Sequence, residues 1–146
     1  MGETAFQQPT GLTPSLVPPI SGSARAMADA DLAFAKMAID STVGAAFGNY
    51  AAPDATFPAG ESPMSVGPAA LRARMSTPAR NQQVWRWHPV YAGATDSGDF
   101  GYTVGEATIR VSRAADAQAF ETKYVTVWQR QADGTLKFLL DSGNLR

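Results

Sequence analysis

Tyr124-Val-Thr-Val-Trp-Gln-Arg-Gln-Ala-Asp-Gly-Thr-Leu-Lys-Phe-Leu-Leu-Asp141-Ser-Gly143 decides how this chain folds. Asp133-Gly134 separates two runs in which apolar residues alternate, the strongest short-range signature of a β-hairpin. Read as a two-residue turn, it sets Gln131 opposite Leu136, Trp128 opposite Leu139 and Thr126 opposite Asp141. Successive side chains of a strand point to opposite faces. One face therefore carries Tyr124, Thr126, Trp128, Leu139 and Asp141, and the other Val125, Val127, Phe138 and Leu140. The second face is wholly apolar. The first is aromatic with a few polar groups, which is the composition of a ligand pocket.

Upstream of this hairpin, residues 83–94, 100–112 and 120–131 also read as strands, with turns at Asp96-Ser97-Gly98-Asp99 and near residues 114–119. A four-residue loop at 95–98 sets Tyr91 opposite Tyr102, Trp87 opposite Glu106 and Trp85 opposite Thr108. Trp85, Trp87, Tyr91, Tyr102, Val104 and Glu106 then share a face, and His88 points the other way.

The first half of the chain has a different period. Met27, Ala30, Phe34, Met37 and Ala38 recur at three- and four-residue steps, which predicts a helix with Ser23 as its N-cap. Asp40-Ser41-Thr42 breaks it. Val43, Ala46, Phe47 and Tyr50 mark a second helix that ends at Pro53-Asp54, and residues 55–57 suggest a short strand. Residues 61–67 form a loop, and Pro68 opens a short helix from 69 to about 76 that Thr77-Pro78 stops. Residues 1–22 hold Pro9, Pro14, Pro18 and Pro19 and keep neither period, so they read as an extended or mobile arm. A single domain spans 23–146. Helices followed by a run of strands argue an α+β fold, a curved antiparallel sheet holding the helices on one face.

Composition narrows the function classes. With 146 residues, 45% hydrophobic and 17% charged, the chain can fill one core. Twelve basic and thirteen acidic residues nearly cancel without a basic stripe, which argues against a nucleic-acid partner. No apolar run reaches the roughly 20 residues of a membrane span. The first residues lack the basic-then-apolar pattern of a secretory signal, so a cytoplasmic protein is expected. Cysteine is absent and His88 is the only histidine, so thiolate chemistry and multi-histidine metal sites are excluded. The carboxylates lack calcium-loop spacing and no glycine-rich phosphate loop occurs, so no metal or cofactor is expected.

Several segments together resemble the nuclear transport factor 2-like superfamily, in a bacterial branch near ketosteroid isomerases and SnoaL-like polyketide cyclases. They are Phe47-Gly-Asn-Tyr-Ala-Ala-Pro-Asp-Ala-Thr-Phe57, Gly67-Pro-Ala-Ala-Leu71, Trp87-His-Pro-Val-Tyr91, Ser97-Gly-Asp-Phe-Gly-Tyr-Thr-Val-Gly105, Tyr124-Val-Thr-Val-Trp-Gln-Arg130 and Leu140-Asp-Ser-Gly143. The resemblance covers about residues 24–146. It implies a cone-shaped domain with a cavity between helices and sheet, and a homodimer. The three ketosteroid isomerase roles fall near Phe34, Ala59 and Thr126, none of which can perform them, so steroid isomerisation is disfavoured. SnoaL-like cyclases are similar in placing an acid/base aspartate seven residues after the hairpin glycine, as Asp141 follows Gly134. The family's histidine two residues earlier is Leu139 here, a departure.

These observations leave three readings. In the first, the cone binds a small, largely apolar molecule against Trp85, Trp87, Tyr102, Val104, Tyr124, Thr126, Trp128, Leu139, Phe34 and Phe57. In the second, Asp141, with Glu106 as the other candidate, is the general acid/base of a cyclase, isomerase or dehydratase. In the third, the cavity is filled by its own side chains and the domain is a dimeric interaction module.

Overall fold

Ser21 has the extended backbone of an N-cap, φ −131°, so the first helix, α1 (Gly22–Asp40), begins just before the expected Ser23 cap. The computed structural model describes residues 16–58 and 63–143; the position expected near Ala59, and most of the N-terminal arm, lie outside them. The inward side of α1 buries Met27, Ala28, Asp31, Phe34, Ala35 and Ala38. Thr42 caps α2 (Val43–Tyr50) by accepting a 3.0 Å hydrogen bond from the Ala45 N–H. The chain then runs straight into β1 (Ala51–Thr56). Gly67 takes φ 91°, donates its N–H to the Ala55 carbonyl and hands over to Pro68, which opens α3 (Pro68–Arg74). Thr77-Pro78 stops that helix as expected and also starts another, α4 (Pro78–Gln82), where the Thr77 hydroxyl accepts from the Arg80 N–H.

Four long strands follow: β2 (Val84–Ala94), β3 (Phe100–Arg110), β4 (Ala119–Arg130) and β5 (Leu136–Gly143). The sheet order is β1-β5-β4-β3-β2. β2 to β5 pair antiparallel, and β1 joins the far edge parallel to β5. α1 lies in the concave side of this sheet, where Phe34, Phe47, Trp128 and Phe138 are nearly or fully buried. At the opposite edge Val17 donates its N–H to the Val90 carbonyl at 2.9 Å, and Leu16 is buried against the core.

Both hairpins depart from the expected register. At Asp133-Gly134 the loop is longer than two residues: the Gln131 N–H bonds the Thr135 carbonyl and Arg130 pairs with Leu136. That one-residue shift turns Phe138 inward opposite Trp128. A bulge at Leu139 then restores the register, so Val127 pairs with Leu140 and Thr126 with Asp141. Phe138 is therefore core, Leu139 leaves the inner face as the extra residue, and Asp141 keeps its inward place.

The β2–β3 hairpin has no such cancellation. Its loop closes with the Thr95 N–H on the Phe100 carbonyl, and Gly93 rather than Tyr91 pairs with Tyr102. A bulge at Val90 recovers one residue of the two, leaving Trp87 opposite Ala107 and Trp85 opposite Ile109. A net shift of one residue reverses the faces of β3. Tyr102, Val104 and Glu106 consequently lie on the outer side, with Tyr102 39% exposed and Glu106 paired to Lys123 at 3.4 Å. Thr103, Gly105, Ala107 and Ile109 take the inner positions instead.

Candidate functional site

The inner space divides into a packed end and an open end. At the packed end Phe34 is the hub: its ring lies 5.0 Å from Phe47, 4.8 Å from Trp87 and 5.3 Å from Phe138, centroid to centroid. Trp128 is fully buried beside them, its Nε1–H donating to the Thr103 hydroxyl at 3.1 Å. Phe34 and Trp128, expected to touch a ligand, are core here because the aromatic side chains already fill that end; Thr126, also expected there, is fully buried opposite Asp141 and does not line the cavity.

At the open end a cavity of about 40 Å³ remains. Its walls are Phe47, Phe57, Trp85, Trp87 and Tyr124, together with Ala107, Ile109, Thr122 and Gly143, and Asp141 is the one acid among the described lining residues. That is room for a few water-sized groups and is smaller than the roughly 300–1,000 Å³ of a drug-sized pocket. Gly105 makes the arrangement possible: a Cβ there would sit 2.4 Å from the Tyr124 hydroxyl and 2.2 Å from the His88 carbonyl. His88 itself is on the outer side of β2, opposite Glu106.

Behind this wall lies a residue that the sequence reading passed over. Asp31 is fully buried on α1. It accepts a 2.9 Å hydrogen bond from Trp87 Nε1–H on one oxygen and a 2.7 Å bond from the Tyr124 hydroxyl on the other. Burial outweighs these bonds and pushes its carboxyl up to about 6. Burial, with the charge of Asp31 beside it, also raises the Tyr124 phenol above its ordinary range. Asp141 is 7% exposed, and its carboxyl is held well above the usual carboxylate range, first by burial and then by the charge of Asp31. The Ser142 backbone N–H opposes that rise. Across the ladder, the Thr126 hydroxyl is buried and has no hydrogen-bond partner among the described residues.

The open end therefore gathers Trp85, Trp87, Tyr124, Phe57 and Asp141 of the expected residues, adds Asp31, and leaves out Tyr102, Val104, Glu106 and Leu139. Asp31 did leave a signal. It stands four residues after Met27 and three before Phe34, inside the apolar stripe of α1. A carboxyl at a buried helical position must find donors, and here they come from β2 and β4.

No family model matches the sequence, and no curated protein matches it either. Solved structures do. A ketosteroid isomerase-like protein from Erwinia carotovora atroseptica aligns over 87% of this chain and 100% of its own, with 12% identity and a TM-score of 0.65. An NTF2-like protein with a cystatin-like fold from Novosphingobium aromaticivorans aligns over 82% and 79%, with 13% identity and a TM-score of 0.64. This chain has the nuclear transport factor 2-like fold. The same nuclear transport factor 2-like frame is found in RV0760c from Mycobacterium tuberculosis, solved in complex with estradiol-17beta-hemisuccinate. It is 10% identical over 83% of this chain and 94% of its own, with a TM-score of 0.60. Among the described residues no group of three metal-ligating side chains forms, and no helix is long and apolar enough to cross a membrane.

Proposed function

We propose that the open end of the cone binds a small, largely apolar molecule that carries no anionic group and turns an oxygen toward Asp141. The observation that carries this reading is a buried carboxyl on the wall of an apolar, aromatic cavity that no cationic side chain lines among the described residues. An anionic ligand would meet Asp141 there with Asp31 behind the wall, whereas a neutral ketone or hydroxyl can accept or donate a hydrogen bond at Asp141. The small-molecule complex of the Mycobacterium tuberculosis neighbour supports a small molecule with an apolar body as occupant; its hemisuccinate carries a carboxylate, so the restriction to neutral ligands rests on Asp141 alone. The test is quenching of Trp85 and Trp87 fluorescence by a panel of cyclic ketones and their carboxylate analogues. Saturable quenching by neutral members and loss in Asp141→Ala support the reading; equal binding of the carboxylates overturns it.

The raised carboxyl of Asp141 favours a second reading, in which it acts as general acid/base in a cyclisation, isomerisation or dehydration. A base would remove a proton alpha to a carbonyl, and an acid would protonate the carbonyl oxygen. Turnover of polyketide-like substrates that is lost in Asp141→Asn supports it, and turnover that survives removes Asp141 from the chemistry. The outer sheet face, with Tyr91, Tyr102 and Val104 exposed beside partly buried Val125 and Val127, suits pairing with a second copy. Light scattering tests that pairing, and a monomer at micromolar concentration contradicts it.

A further inference from the structure

Two acids share this apolar enclosure, and their partners are unequal. Trp87 Nε1–H can only donate, and the Tyr124 phenol, held protonated, donates as well. Both oxygens of Asp31 are thus used as acceptors, which is the pattern of a carboxylate anion. Asp141 has the Ser142 backbone N–H and a neighbouring Thr126 hydroxyl that bonds to nothing among the described residues. If one of the two acids ionises first, the geometry selects Asp31.

We propose that Asp31 is a positioning residue for Asp141: clamped as the anion between Trp87 and Tyr124, it keeps the Asp141 carboxyl protonated and so a hydrogen-bond donor toward the cavity. The same clamp fixes the rings of Trp87 and Tyr124 as cavity walls. Two like charges in one low-dielectric space disfavour each other, so the acid with more hydrogen-bond donors forces the proton onto the other. The surrounding groups leave this balance intact. Among the described residues, Tyr124 is the one further titratable group facing the pair from β4, and Tyr50 of α2 lies deeper, against Phe34 and Trp128. Arg74 of α3 stacks on the far side of Phe57 and bonds its carbonyl. Arg110 at the end of β3 turns to the Ala114 carbonyl, and Lys137 of β5 turns to that of Asn49. Arg86 and His88 of β2 sit on the outer side.

The inference rests on the site proposed above for its functional meaning, but its test needs no ligand. Carboxyl carbons of aspartate are followed by NMR against pH in the full chain and two variants. In Asp31→Asn the Asp141 midpoint moves to lower pH, because the neighbouring charge is gone. A residue that merely braced Trp87 and Tyr124 would leave that midpoint in place. Asp141 is neutral while Asp31 titrates, so Asp141→Asn removes no charge and leaves the Asp31 midpoint at about 6. This second arm stands even if Asp31→Asn does not fold. An Asp31 midpoint that falls in Asp141→Asn, which would mean that Asp141 ionises first, or an Asp141 midpoint unchanged in folded Asp31→Asn, overturns the proposal. Coupled titration together with a failed ligand panel would leave Asp31 as the proton-setting group and dismiss the ligand reading. Ligand binding without coupling would do the reverse.

Discussion

The packed end and the open end of the cone lie side by side on the same strands, yet they are built on opposite rules. Around Phe34 every contact is ring on ring and the tryptophan N–H has a partner. Around Asp141 a carboxyl, a hydroxyl without a partner and unfilled space persist together. One end stabilises the fold. The other holds polar groups at a cost in stability, a pattern that folded proteins keep at working sites.

Removing the hub ring should sharpen this contrast most. Phe34→Ala is expected to cost about 3–5 kcal/mol, the usual range for deleting a buried aromatic, and chemical denaturation measures it. The open end should respond with the opposite sign. Asp31 and Asp141 both bind protons more tightly folded than unfolded, so their contribution to stability is fully present below the ordinary aspartate value of 3.8. It is lost as pH rises, through about 6 for Asp31 and through the raised range of Asp141, which burial and the charge of Asp31 hold well above the usual carboxylate range. Melting temperature should therefore fall between pH 4 and pH 8, with each pH taken on the order of the titration range. Asp141→Asn should flatten that fall and gain about 1–3 kcal/mol at the alkaline end. A steeper fall in the variant would contradict the account.

Thr126→Val, nearly isosteric, removes the unbonded hydroxyl and should stabilise by about 1 kcal/mol in urea titration. A loss of stability there would mean that the hydroxyl has a partner after all and that the two ends differ less than described. Smallest is Glu106→Ala. Its exposed pair with Lys123 lies outside the cone, so stability should stay within about 0.5 kcal/mol and ligand binding unchanged. A large effect on binding would return Glu106 to the site.

The two hairpins show how far the sequence could be read. At Asp133-Gly134 the loop adds one residue of shift and the bulge at Leu139 removes it, so the inward position of Asp141 was legible while Phe138 and Leu139 were exchanged. At β2–β3 the loop and the Val90 bulge differ by one residue, so Tyr102, Val104 and Glu106 were assigned to the wrong side. Bulges carry no reliable local signature, and each reverses every side chain beyond it. Asp31 was legible in principle, as an acid inside an apolar stripe, but its donors lie 56 and 93 residues away in the chain.

Periodicity, capping residues and turn glycines are local, and they were enough to determine three of the helices, the four long strands and the α+β class, but not α4, the start of β1 or its parallel pairing with β5. The resemblance of the quoted segments carried the superfamily fold. Tertiary structure alone decided which acid meets which donor, how much of the cone its own rings occupy, and which face of β3 looks inward. Those outcomes depend on loop closure and bulge position summed along whole strands, and on contacts between residues that no short stretch of sequence holds together.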